Sequence, residues 1–248
     1  YPGLADSQIR TWKGAQGLAE DVRAYGLWMR DEAEKRIGHL YPKADLPDGS
    51  KAPVIAWIWT RTITCPNPRC RIQMPLVRSW WLSKKKGRQA YVLPSVTEGH
   101  VEFGVGDDVA RAPAVDSDGT VGPKGATCLA CRSAVDREHI KAEGVAGRMG
   151  AQLMATVAEG NRMRVYLPPT SEHQSAAMVD KPTNVPDQDL GYDPRNLWTP
   201  PYGLTKFCDL FSPRQLTAMA TFSDLVLEVR DRVLADALRN GIDEGQRL

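Results

Sequence analysis

The run Val54-Ile55-Ala56-Trp57-Ile58-Trp59-Thr60-Arg61-Thr62-Ile63-Thr64, followed at once by Cys65-Pro66-Asn67-Pro68-Arg69-Cys70, decides how the rest of this chain is read. Its leading residues alternate and are rich in Ile, Trp and Thr, side chains that suit a pleated, half-buried surface. They predict a strand that runs straight into a turn bearing two thiols, stiffened by Pro66 and Pro68. Outward along the chain, a second pair stands in Cys128-Leu129-Ala130-Cys131, preceded by Thr127 as the first pair is preceded by Thr64. A strand is therefore expected to lead into each turn. Two short cysteine turns can each supply two thiolates, and zinc takes four such soft ligands in a tetrahedron. Cys65, Cys70, Cys128 and Cys131 are the candidate metal ligands, with structural zinc the favoured cofactor. The 57 residues between the pairs require an elaborated insertion between the two knuckles.

Other readings of the four residues stay open: a buried structural pair, a disulfide, a decayed site, or a redox C-x-x-C. The last lacks the strand-then-helix context such motifs need. Zinc knuckles often place Gly after the second cysteine, so that backbone amides can approach the sulfur; here those positions are Arg71 and Arg132. Cys208, in Lys206-Phe207-Cys208-Asp209, stands alone and reads as a small buried hydrophobe. The opening Tyr1-Pro2-Gly3-Leu4 has no basic flank or apolar run, so a reducing compartment is expected, where paired cysteines are more often ligands than disulfides.

The 248 residues carry 32 Lys+Arg against 30 Asp+Glu, a net charge of +2. This near-balance removes any global electrostatic argument for nucleic acid and leaves only local clusters to make one. Hydrophobic residues at 42% and charged ones at 25% are ordinary globular values, enough to build one large domain or two small ones. Mean hydropathy is −0.39, and the most apolar stretch, 53–59, is far too short to cross a bilayer. The start at Tyr1 and the stop just past a charged helical stretch read as a piece of something longer.

Residues 15–39 predict an amphipathic helix, with Leu18, Val22, Tyr25 and Met29 at helical spacing. A Pro/Gly/Asp-rich loop, 42–53, follows. Beyond the strand at 54–64, further strands are expected over 72–82, 90–96 and 101–105, then a loop over 107–125. A short helix at 136–143 precedes strands at 152–158 and 164–167. The irregular region 168–202 holds seven of the chain's 18 prolines, with a helix expected only at 172–178. Residues 213–238 predict a long helix headed by Ser212-Pro213, its apolar stripe formed by Leu216, Met219, Phe222, Val226, Val229, Val233 and Leu238. The fold class read from this pattern is α+β: an antiparallel β-rich zinc-ribbon insert flanked by a long N-terminal and a long C-terminal helix. Its segments are 1–53 (helical), 54–135 (zinc-ribbon β region) and 136–248 (mixed α/β, ending in a long helix).

Lys84, Lys85, Lys86 and Arg88 crowd one turn, with Arg78, Trp80 and Trp81 just before it. Cations beside aromatics can grip phosphates and stack on bases, which makes Arg78, Lys84, Lys85, Lys86 and Arg88 candidate DNA contacts. The competing reading is a solvated hairpin tip whose tryptophans are core. Phe103-Gly104-Val105-Gly106 is not followed by the helix that a cofactor-cradling glycine loop needs, and reads as a strand end. Thr199-Pro200-Pro201-Tyr202 is a near miss to the D/N-P-P-Y/F signature of amino methyltransferases. A threonine hydroxyl lacks the reach of the carbonyl used there, so a structural turn is expected. His39, His100, His139 and His173 have no metal spacing, and Glu172-His173 reads as a helix-start surface pair. No catalytic residue is assigned.

The run Trp57 to Thr62 with Cys65 to Cys70, then Met74-Pro75-Leu76-Val77-Arg78-Ser79-Trp80-Trp81-Leu82-Ser83-Lys84-Lys85-Lys86, resembles the zinc-ribbon-containing adenine-specific DNA methylases that carry a DUF1156 domain. The resemblance continues through Gly147-Arg148-Met149-Gly150-Ala151-Gln152-Leu153-Met154, Val165-Tyr166-Leu167-Pro168, Asn196-Leu197-Trp198-Thr199-Pro200 and Tyr202-Gly203-Leu204. It ends at Phe211-Ser212-Pro213-Arg214-Gln215-Leu216 and Thr221-Phe222-Ser223-Asp224-Leu225, and so spans roughly 20–235. It implies transfer of a methyl group from S-adenosylmethionine (SAM) to the adenine amino group of DNA, in a prokaryotic cytoplasm and typically in genome defence. Such chemistry takes the target base out of the stack. The family's D-P-F-x-G-x-G cofactor loop and D-P-P-Y motif are both missing here, so SAM belongs to the parent enzyme and not to this segment. The implied partners are DNA, through the parent enzyme, and the flanking methyltransferase halves. The alternative is a stand-alone zinc-ribbon module that binds nucleic acid or protein.

Overall fold

The computed structural model describes residues 13–114, 118–161 and 163–240. They fall into two compact units, one drawn from the described residues of 13–40, 179–185 and 212–240, the other from those of 41–178 and 186–211. Long helices near both ends and antiparallel sheets between them make the fold α+β.

Helix α1 (Gln16–Ile37) opens the described chain. The larger unit then begins with β1 (Ala44–Asp45) and β2 (Lys51–Ala52), a small hairpin inside the stretch expected to be loop. Asp48 closes its turn by accepting from the Ser50 N–H and hydroxyl, at 2.9 and 2.6 Å. Strand β3 (Val54–Thr64) has the bounds its alternation predicted. After the first cysteine turn come β4 (Gln73–Leu76), β5 (Trp81–Ser83), β6 (Ala90–Thr97) and β7 (His100–Gly106). Then follow β8 (Val121–Gly122), β9 (Gly125–Thr127), β10 (Ala134–Asp136), helix α2 (Arg137–Val145), β11 (Gly150–Gly160), β12 (Met163–Leu167) and the short α3 (Ser171–Ser175). All pairings are antiparallel, in the orders β12-β11-β3-β4, β5-β6-β7 and β10-β9-β8.

The single strand expected over 72–82 is instead two, in different sheets. Between them the backbone takes partners from a distant loop. Val77 N–H donates to Thr120 Oγ1 (2.8 Å), and Val77 O accepts from the N–H groups of Thr120 and Val121 (2.6 and 2.9 Å). The Asp118 carboxylate takes the Trp80 N–H (2.7 Å) and the Ser79 hydroxyl. Gly119 permits this crossing: at φ +110°, an added Cβ would lie 2.5 Å from the Val77 and Arg78 carbonyl oxygens. The core of the unit gathers Ile63, Met74, Trp80, Val92, Phe103 and Met154 around the two most buried cysteines.

In the smaller unit α1 pairs antiparallel with α4 (Pro213–Arg239). Tyr25 Oη donates to Asp236 (3.0 Å), Arg232 stacks over Trp28 (5.0 Å), and Arg36 grips Glu228 with two bonds of 2.6 and 2.7 Å. The Ser212 hydroxyl and Gln215 form a capping box at the head of α4, with Pro213 in its first turn. The apolar stripes read from spacing match the buried seam only in part: Leu216 is buried as expected, and Tyr25, Met29 and Val229 are half-buried. Leu18, Val22, Met219, Phe222, Val226, Val233 and Leu238 are exposed, whereas Leu225, off the expected stripe, is fully buried. Two helices meet along one narrow line, so apolar positions beyond it stay uncovered. Among the described residues no helix is long and apolar enough to cross a membrane.

Candidate metal centre and basic surface

Each cysteine pair lies in the turn of an antiparallel hairpin, between Thr64↔Gln73 of β3–β4 and between Thr127↔Ala134 of β9–β10. The turns are built alike. Cys65 N–H donates to Ile72 O (2.8 Å) and Cys128 N–H to Ser133 O (3.0 Å), which closes each loop behind its first cysteine. Arg71 and Arg132, where glycine is commonly found, both adopt the left-handed conformation, at φ +55° and +60°. Each costs about 1–2 kcal/mol that glycine would not. Asn67 links the knuckles: its Oδ1 accepts from Arg69 N–H (3.0 Å) and its Nδ2 donates to Ser133 Oγ (3.2 Å).

The four sulfurs converge. Cys65 Sγ lies 3.7 Å from Cys131 Sγ, Cys70 Sγ lies 3.9 Å from Cys128 Sγ, and all four fall within 4.8 Å of one another. Sulfurs on a tetrahedron with bonds of about 2.3 Å to its centre stand about 3.8 Å apart, so the donor set fits an ion such as zinc. A disulfide needs about 2.05 Å, and none of the described cysteines forms one. Two of these close contacts join the two knuckles, so the thiols form one four-membered set and not two separate C-x-x-C pairs.

Burial divides the set. Cys65 and Cys128 are fully buried, and desolvation pushes the Cys65 thiol up to about 12 and raises that of Cys128. The Ser133 hydroxyl and backbone N–H draw the Cys131 thiol down to about 6. Burial opposes ionisation of Cys65 and Cys128, a cost that a cation among the four sulfurs would offset. Cys208 is buried away from this cluster, as its isolation predicted.

The basic turn is a hairpin tip, closed by the pairs Ser83↔Ala90 and Trp81↔Tyr91. Lys84 is engaged there, its Nζ 3.6 Å from Asp118 and 5.7 Å from the Trp81 ring centre. Lys85, Lys86 and Arg88 are exposed, and none pairs with an acidic side chain among the described residues. Trp80 is core, and Trp81 packs edge-on against Tyr91 at 5.7 Å, so neither stands as a free stacking surface. Arg78 is not brought to this tip; it lines a separate groove with Arg61.

The remaining motifs resolve structurally. Phe103 to Gly106 lies in β7, and Gly106 makes room for the Tyr91 ring, which an added Cβ would meet at 2.9 Å. Pro200–Tyr202 is a 3-10 turn ended by Gly203 at φ +82°. His173 departs from the surface reading: it is buried, with its Nδ1 accepting from Trp57 Nε1 at 3.3 Å, while its helix is only Ser171–Ser175. The sequence reading also missed Glu143, a nearly buried carboxylate on α2 held by both Nε and Nη2 of Arg148, the latter at 2.7 Å. That bond holds the Glu143 carboxyl below the usual carboxylate range.

No protein-family model, no curated protein and no solved structure matches this chain.

Proposed function

We propose that this chain is the central zinc-ribbon segment of a SAM-dependent adenine-specific DNA methyltransferase. In this reading it holds a structural zinc and supports DNA binding or architecture without carrying the catalytic motifs. The observation that carries the reading is the convergence of Cys65, Cys70, Cys128 and Cys131 from two like-built hairpin turns. Four thiolates fill a tetrahedral shell and leave no position open for water or substrate, which makes the ion a cross-link and not a catalyst. The motif run from Trp57 to Lys86 supports the methylase assignment, and the exposed Lys85, Lys86 and Arg88 support a duplex contact. The uncovered apolar positions of the helix pair, Val22 and Phe222 among them, offer surface to the flanking methyltransferase halves.

The test has three parts. Elemental analysis of the chain purified under reducing conditions should find about one zinc per chain. The chain alone should neither bind SAM nor methylate DNA, whereas the full-length enzyme should do both. Absence of stoichiometric metal removes the ribbon, and saturable SAM binding by the chain alone contradicts the placement of the cofactor elsewhere. An absence of the cofactor loop and D-P-P-Y from the flanking gene sequence would favour the stand-alone module instead.

A further inference from the structure

The larger unit contains a groove of about 670 Å3, within the roughly 300–1,000 Å3 range of ligand sites. Its rim carries Arg61 from β3, Arg78 from just past β4, and Arg137 and Lys141 from α2, together with Trp198 and Tyr202 from the loop before the C-terminal helix. Its floor is apolar, formed in part by Ile140 and Met149. No aspartate or glutamate lines it.

Two features point to a ligand. The first is charge without a counter-charge. Elsewhere among the described residues some cations sit directly against an acid, as in Arg36–Glu228 or Arg148–Glu143. Arg61, Arg78 and Lys141 make no such pair among the described residues, and Arg137 donates only to the neutral Pro123 carbonyl, at 2.7 Å. Four like charges around an apolar floor concentrate a positive potential that an anion would relieve.

The second feature is an exposed indole on a braced loop. Trp198 is 75% exposed, yet its backbone is fixed. The N–H groups of Trp198 and Thr199 both donate to Asn196 Oδ1 at 3.3 Å, and Asn196 Nδ2 donates to Thr199 Oγ1 at 2.7 Å. The N–H groups of Tyr202 and Leu204 both donate to Thr199 O, at 3.0 and 3.1 Å. The loop is pressed onto α2 at two glycines: a Cβ on Gly144 would sit 2.5 Å from Tyr202 O, and one on Gly203 would strike the Gly144 carbonyl. An aromatic face held in solvent beside cations is the arrangement on which unpaired bases stack while their phosphates meet the charges.

We infer that this groove binds a short single-stranded stretch of nucleic acid, one base stacked on Trp198 and the flanking phosphates on Arg61, Arg78, Arg137 and Lys141. The inference rests on the DNA-binding part of the reading above and deepens it by giving unpaired nucleotides their own surface, distinct from the hairpin tip.

The test is fluorescence anisotropy of the zinc-loaded 248-residue chain with labelled oligo(dT) of about 12 nucleotides and with a duplex of equal length, at several salt concentrations. The single strand should bind more tightly than the duplex. Trp198→Ala should weaken it about tenfold to a hundredfold, and Trp198→Tyr, which keeps a stacking ring, should restore most of the loss. Arg61→Ala with Arg78→Ala should flatten the log-affinity against log-salt slope by about 1.4, at about 0.7 per contact on a single strand. Unchanged circular dichroism and zinc content should accompany each variant. Single-strand binding that survives these changes but is lost in Lys85→Ala/Lys86→Ala overturns the groove and leaves the DNA reading standing. No binding of either oligonucleotide by the folded, zinc-loaded chain overturns both. Preference of the groove for an acidic peptide over oligo(dT) overturns the nucleic-acid assignment.

Discussion

Neutralising the hairpin tip tests the duplex contact, and the structure fixes how large the effect should be. Three lysines stand in the turn, but Lys84 is held between Asp118 and the Trp81 ring, at 3.6 and 5.7 Å. Its charge is partly spent inside the molecule, whereas Lys85 and Lys86 project from an exposed turn. Each B-DNA phosphate neutralised contributes about 0.9 to the slope of log affinity against log salt. A Lys85→Ala/Lys86→Ala variant should therefore flatten the slope by about 1.8, and adding Lys84→Ala should change it little further. Between about 50 and 200 mM salt, the wild-type chain should lose about tenfold more duplex affinity than the variant does. The preferred sequence should not change, because phosphate contacts position a protein without reading bases. Titration of a labelled duplex by anisotropy at four salt concentrations measures all of this. An unchanged slope in the double variant would show the tip to be merely solvated. A further drop of about 0.9 on removing Lys84 would show that the Asp118 contact does not restrain it.

The metal centre and its surroundings give three more tests. Cys128→Ser should abolish stoichiometric zinc and unfold the ribbon, since structural zinc supplies about 10–16 kcal/mol in zinc-finger peptides and whole domains are stable by only about 5–15; Cys208→Ala, outside the cluster, should leave zinc content intact. Arg71→Gly should be more stable than Arg71→Ala by up to about 1 kcal/mol, because glycine relieves the left-handed strain of about 1–2 kcal/mol and returns part of it as lost chain entropy. Urea unfolding of the two variants decides this, and a less stable glycine variant would mean that the turn is not strained. Glu143 is held below its usual value of 4.5, chiefly by its hydrogen bonds to Arg148. Its contribution is therefore present above that pH and is lost as pH falls through the lower, folded value. Glu143→Gln should flatten the acid side of the melting-temperature profile, and an unaltered profile would refute the coupling.

Local signals carry much of the fold, although the short β1–β2 hairpin, in a stretch that reads as loop, is an exception. Strand β3 announced itself by alternation, and the thiol turns by spacing, because a hairpin and its turn are specified within about a dozen residues. The break at Val77–Trp80 was illegible for the opposite reason: its cause, Thr120 and Asp118, lies some forty positions downstream. The helix periods correctly gave two long helices, but a period does not say which edge of the stripe a single partner helix will cover. Leu225 and Phe222 therefore exchanged roles. At Arg71 and Arg132 the expected glycine is replaced by residues that take the same left-handed angle. The geometry of a knuckle can thus persist where its usual residue does not. The groove had no local sign at all, since Arg61, Arg78, Arg137 and Trp198 come from four separate segments.

Those segments are nonetheless bound to the cysteines. Arg61 lies on the strand that enters the first knuckle, and Arg78 follows the strand that leaves it. The β8–β9 turn, which forms another wall, leads into the second knuckle, and β10 leaves that knuckle to end in Asp136, whose carboxylate caps α2 at His139 N–H. The two metal-bearing hairpins are thus two walls of the groove. Besides the sulfurs, they are joined by Asn67 to Ser133 and by Thr120 to Pro75 and Val77. An ion joining Cys65 to Cys131 closes a loop across 66 positions, and closing so long a loop removes much of the freedom the walls would otherwise have to lose on binding. Chelation, which releases the ribbon and both walls with it, should therefore abolish oligo(dT) binding, whereas Trp198→Ala should weaken it with zinc still in place. If affinity is unchanged in the metal-free chain, the side-chain bonds alone hold the walls, and the ion's stabilising effect stops at the knuckles.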